Sequence, residues 1–199
     1  METYEAIMTR RSVPKLSDRV PERQAIQRLL DAAVRAPTHH LTQPWRFVVL
    51  ADAALDDFGR AWEAGTVREG KDASGIMDKA HRAPVVIAVI ERPHLDNRKV
   101  VEEEEHYATG AAMQNMLLAA HDAGLGAMLR TGPAAQMHEV KDLLGVADDE
   151  YIAGLLYVGY PAEDSEERPM TRRKPAEELT EWRGIAQPGE SGSRGGADE

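Results

Sequence analysis

Three short clusters in this chain carry side chains that can hold an anion. Arg10, Arg11 and Ser12 are consecutive, Arg130 is followed by Thr131, and Arg172, Arg173 and Lys174 form a late basic run. A guanidinium fork matches phosphate oxygens two at a time, and a neighbouring hydroxyl adds one more donor. The first cluster also fits a blander reading, a solvated basic helix end, because cations favour helix C-termini. Residues 37–45 form a cluster of another kind. Thr38, His39, His40, Thr42 and Gln43 are framed by Pro37 and Pro44 and lead into an apolar run. A loop of this density reads as a site rather than a linker. The two histidines have the chemistry of metal ligands, but no third ligand follows at a suitable spacing, so no metal is expected; ordinary polar loop residues remain the other reading. With no cysteine in the chain, thiol catalysis, disulfides and thiolate metal sites are excluded.

These clusters need elements to position them. Residues 3–10 have Tyr4, Ile7 and Met8 on one helical face, and Pro14 marks the stop. Residues 21–35 read as a second helix, with Pro21 in its first turn and Ile26, Leu29, Leu30, Ala33 and Val34 as its apolar stripe. Strands are expected at 45–50, at 83–91, just after Gly124, and at 151–159. The run at 83–91 is nearly continuous in branched side chains, which fits a central strand covered on both faces. Helices are expected at 54–64 and 137–144, with shorter helical turns at 76–81 and 177–182. Residues 65–75 read as a mobile loop, and 92–99 as a lid or rim over a pocket.

The central stretch is 100–123. It opens with four glutamates, which suit a helix N-terminus, and then turns apolar on nearly every side. A helix apolar all round must be buried. Its small residues, Gly110 among them, allow close approach either within one chain or across a dimer.

With 199 residues, the chain can build one domain with a real core. Its formal charge of −10 argues against nucleic-acid binding while leaving room for a local cationic site. No apolar segment follows the first charged residues and no run reaches membrane-spanning length, so a cytoplasmic protein without a membrane partner is expected. We expect one domain over 1–185 and a disordered tail over 186–199, where almost nothing apolar remains to bury.

Taken in order, the RRSV start, the APTHHLTQPWRF stretch, the LRTG turn and the late basic run resemble the nitroreductase family of FMN-dependent flavoproteins. The likeness covers roughly residues 1–175 and is greatest to the short, single-domain bacterial branch. It implies an α+β fold: a three-layer sandwich with a mixed central β-sheet flanked by helices, in an intertwined homodimer with two FMN sites at the subunit interface. It also implies roles for particular residues. Arg10 and Ser12 would hold the phosphate and ribityl side, and Arg11 would reach polar atoms of the flavin. Arg35 and His39 would come from the partner subunit. Leu129, Arg130 and Thr131 would hold the flavin on its other side, and Arg173, with Arg172 or Lys174, would meet the phosphate. Two positions depart from the family pattern. Leu41 stands where many members carry asparagine, and Leu129 stands where the short branch can have tryptophan.

The resemblance further implies an NAD(P)H oxidoreductase. NADH or NADPH would deliver hydride to flavin N5, and a nitroaromatic, quinone-like or other electron-poor small molecule would then take it up. Such chemistry belongs to the cofactor, and no side chain is assigned as a catalytic acid. Alternatives are the same fold with another flavin reaction (enoate reduction, dehydrogenation, dehalogenation or flavin fragmentation), a non-catalytic flavin-binding protein, or a ligand-free structural dimer.

Overall fold

The computed structural model describes residues 1–165 and 173–185. The chain divides into two units, Met1–Glu166 and Glu167–Glu199. In the first, the order is α1 (Thr3–Thr9), α2 (Arg23–Ala33), β1 (Trp45–Ala51), α3 (Ala53–Arg68), α4 (Ile76–Ala80), β2 (Val85–Glu91), α5 (Glu102–Asp122), β3 (Gly126–Arg130), α6 (His138–Leu143) and β4 (Tyr151–Gly159). Within the second unit the described residues include a 3-10 turn at Ala176–Leu179. The late cluster is split: Arg173 and Lys174 are exposed, and Arg172 lies outside the described residues, as does the expected tail.

The four strands form one sheet in the order β1-β2-β4-β3. Helices cover both faces, as the three-layer fold requires. On one face Phe58 of α3, Ala80 of α4 and Val140 of α6 pack on Val86, Ala88, Ile90, Leu155 and Tyr157. On the other, Leu29 of α2 and Ala112, Met116 and Ala120 of α5 pack on Val85, Ile87, Val89 and Leu156. Alternate β2 side chains feed the two cores, so every residue of β2 is buried.

The sheet differs from expectation in one respect. Every pairing among the described strands is antiparallel, so the sheet is not mixed. The connections explain it. After β1, α3 leads away and the α4 segment returns, with Met77 and Ala80 against Gly59, so β2 starts where β1 ended. A single long helix, α5, then carries the chain from β2 to β3. These two strands point the same way, as a one-helix crossover demands, but β4 inserts between them and runs opposite to both.

Two elements differ in detail. α3 continues through Gly65 to Arg68, because Gly65 packs against Met137 and Glu139 and needs the space a side chain would fill. α5 is not buried all round within the chain: Tyr107 is 73% exposed, and a Cβ at Gly110 would meet nothing within 4 Å.

Segment 13–17 lies close against the end of the sheet. A Cβ at Gly126 would sit 2.9 Å from the Val13 Cβ and 2.5 Å from Leu16 Cδ2. Gly126→Ala should therefore push this segment away and destabilise the protein by about 1–3 kcal/mol, read from the urea midpoint at unchanged m-value.

Candidate functional site

The segment that carries the first cation cluster leads onto the outer edge of β3, the strand that ends in the second. α1 ends at Arg10, whose N–H donates to the Ala6 carbonyl. The chain then extends, and the Val13 N–H donates to the Ala127 carbonyl at 3.1 Å. Leu16 bridges Pro161, the Ser17 N–H donates to the Tyr160 carbonyl, and the Ala162 N–H donates to that of Lys15. Arg10, Arg11 and Ser12 thus stand one to three residues from a bond to the strand that ends in Leu129 and Arg130. Arg10, Arg11, Leu129 and Arg130 are half-buried, and Ser12 and Thr131 are exposed.

Arg130 has unused hydrogen-bonding capacity. Its guanidinium lies 5.5 Å from the Tyr157 ring centroid, and Nη2 meets only the weak acceptor Met128 Sδ at 3.2 Å. Nε is buried and, among the described residues, has no hydrogen-bond partner. A buried donor left unsatisfied costs about 1–3 kcal/mol, and more when charged. Beneath it, burial pushes the Tyr157 phenol up to about 12, so that ring stays neutral and offers no counter-charge. An acceptor-rich, anionic ligand fits this donor set.

Arg35 and His39 lie on other elements of the chain. Arg35 follows α2, whose Ala32 carbonyl accepts from Asn115 Nδ2 of α5. His39 pairs with Glu104 in the first turn of α5, 3.2 Å away. Its loop is bent by three residues of positive φ: His40 at 53°, Leu41 at 56° and Gln43 at 50°. Non-glycine residues rarely adopt this region, at a cost of about 1–3 kcal/mol each, and keep it only when the surroundings over-determine it.

Sequence reading missed the polar island under this loop. Glu105 is 0% exposed and Glu91 is 1%. Glu105 Oε1 accepts from Thr42 Oγ1 at 2.6 Å, and its Oε2 lies 3.1 Å from the His94 backbone N–H and 3.2 Å from His94 Nδ1. Glu91 Oε1 and the Tyr151 hydroxyl converge on His106 Nδ1 at 2.6 and 2.5 Å. Burial, with the Glu91 carboxylate, holds the Tyr151 phenol far above its usual range. The signal was present in part: Glu105 falls at i, i+3, i+4 and i+7 with Ala108, Thr109 and Ala112, all on the buried face. A cleft of about 800 Å³ opens beside the island, lined by His94, Glu102, Glu150 and Tyr151 among others.

The comparisons agree with this architecture. The Nitroreductase family profile matches residues 7–160. The chain is 33% identical over 165 residues to the Escherichia coli (strain K12) protein YdjA, provisionally named an NAD(P)H nitroreductase, covering 81% of this chain and 89% of that one. It is similar to a nitroreductase-like family protein from Bacillus cereus, with a TM-score of 0.81 at 24% identity over 93% of this chain and 97% of the other. It is also similar to a protein from Desulfovibrio desulfuricans, provisionally described as a nitroreductase and solved in complex with FMN. There the TM-score is 0.71 at 27% identity over 94% and 99% of the two chains. Sheet and flanking helices are those of the nitroreductase fold, which belongs to a family of oxidoreductases. The chain belongs to the nitroreductase family.

One wall of the cleft rests on an ion pair whose pH dependence can be signed. Arg46 Nε and Nη2 grip Glu150 Oε1 and Oε2 at 2.9 and 2.6 Å, and Nη2 also donates to the Gly145 carbonyl at 2.7 Å. The Arg46 hydrogen bond holds the Glu150 carboxyl below its ordinary value of 4.5. A depressed carboxyl contributes its stability above that ordinary value and loses it as pH falls through the lowered one. Glu150→Gln should cost about 1–3 kcal/mol at neutral pH and show a shallower loss of stability on acidification below about pH 4.5, measured by urea unfolding at successive pH values.

Proposed function

We propose that this protein is an FMN-dependent NAD(P)H oxidoreductase, working as a homodimer in the cytoplasm, where reduced nicotinamides are held. The observation that carries the reading is the buried, unsatisfied Arg130 Nε on the edge strand that Arg10, Arg11 and Ser12 flank. The FMN-bound relative supports it. Bound there, FMN would supply hydride-transfer chemistry between NADH or NADPH and a nitroaromatic, quinone-like or other electron-poor acceptor.

The chain's own residues bind and tune. Arg10 and Ser12 hold the phosphate and ribityl side through charge-assisted bonds. Arg11 and Arg130 place positive charge where the reduced flavin gathers negative charge, the electrostatic share of the catalysis. Leu129 and Thr131 hold the flavin from its other side. Arg35 and His39 reach the flavin of the partner subunit. The open stripe of α5 around Tyr107 and Gly110 forms the seam, which reconciles an all-apolar helix with exposure in one chain.

The purified protein should be yellow and bleach on adding NADH or NADPH without air. Arg10→Ala should weaken FMN binding about 10- to 100-fold, the loss expected for one charge-assisted contact, measured by quenching of flavin fluorescence. A colourless protein that takes up no FMN on reconstitution refutes the reading.

A further inference from the structure

Glu105 holds two loops with one carboxylate. Through Oε1 it takes the Thr42 hydroxyl of the strained loop at 38–43. Through Oε2 it takes the backbone and ring of His94, at the start of the 92–101 connection that rims the cleft. It is completely buried, so water cannot replace either set of donors. Among the described residues the strained loop has other anchors: Thr42 N–H donates to the His39 carbonyl at 3.2 Å and Trp45 N–H to the Gln43 carbonyl at 2.7 Å, His39 pairs with Glu104, and just beyond the loop Arg92 N–H donates to the Pro44 carbonyl at 2.9 Å; Glu105 supplies the side-chain link to both segments.

We propose that Glu105 is a positioning residue that fixes the His39-bearing loop and couples it to residues 92–101. A carboxylate serving both loops loses its lowest-energy placement when either set of donors is removed, so loosening one loop loosens the other. Coupling of this kind is reciprocal. The consequence at the flavin rests on the proposed function: His39 would be presented to the partner's FMN only while Thr42 is held. The coupling itself does not depend on flavin.

Hydrogen–deuterium exchange on the full-length purified protein tests it. In Thr42→Val, which keeps the shape and removes the hydroxyl, exchange should rise about tenfold or more in peptides covering 38–45 and also in those covering 92–101. Thr42→Ser, which restores the hydroxyl, should return both to wild-type rates. Glu105→Gln should loosen both loops together; if it does not fold, the Thr42 pair still decides. A rise confined to 38–45, or a Thr42→Ser variant that behaves like Thr42→Val, overturns the coupling. In the same preparations Thr42→Val should release FMN faster, and unchanged release overturns the consequence for His39. Wild-type protein without FMN affinity would defeat the proposed function and leave the exchange result to stand or fall alone.

Discussion

The outer edge of β3 is the constraint on which the rest depends. A strand at the end of a sheet presents unpaired backbone groups that must be satisfied or covered. This chain pairs its own early segment there, through the Val13 bond to Ala127, and the same segment goes on to bond the residues after β4 at Pro161 and Tyr160. Pro14, which has no N–H to leave unpaired, sits between them without cost. Val13 is fixed there, and the three residues before it run from the end of α1, where Thr9 Oγ1 meets His121 Nε2 at 2.8 Å, to the Val13–Ala127 bond early in β3. A requirement of β-sheet chemistry thus brings the segment that follows Arg10, Arg11 and Ser12 to the strand that ends in Arg130. The glycine at 126 is the condition for that approach, since any side chain would meet Val13.

α5 sets the second half of the arrangement. Its stem provides apolar surface to β2 and β4, while its first turns carry four glutamates into the region where β2 ends. Two of the carboxylates flanking this junction, Glu91 and Glu105, are buried. Burying an ionised carboxylate costs several kcal/mol unless donors replace the lost water. The donors come from histidines 94 and 106, Tyr151 and Thr42, and the helix N-terminus adds a favourable dipole to the acidic first turn. The island ties segments that the hydrophobic cores do not reach.

Legibility in the sequence followed the range of the interactions. Local periodicity marks each of the four strands and most helices, because amphipathic patterns report on the faces of a single element. Pairing order does not have this property. β4 enters between β2 and β3, and nothing in residues 151–159 states which strand it will separate, so a mixed sheet was a fair expectation and an antiparallel one the result. α3 ran past its expected end because Gly65, a breaker in isolation, gains a partner in α6 that is distant in sequence. The cation clusters were visible as residue types, and the segment joining two of them was not. Glu105 was legible as a helix-start acid, while its burial depends on Thr42 and His94, each contributed by a loop with no periodic signal.

The two halves meet in the treatment of polar groups. At the β3 edge a buried guanidinium nitrogen is left without an acceptor among the described residues; beneath the 38–43 loop every buried carboxylate oxygen named above has a donor. An unsatisfied buried donor favours an acceptor at the one place, and satisfied carboxylates hold backbone at the other. Preorganised donors contribute most when they need not move as charge develops. A strand end paired to β4 suits that task, while the 38–43 loop is held by Glu105 and by the His39–Glu104 pair. Division of labour between a fixed cationic edge and a tethered loop follows from which elements are packed on both sides and which are held by hydrogen bonds alone.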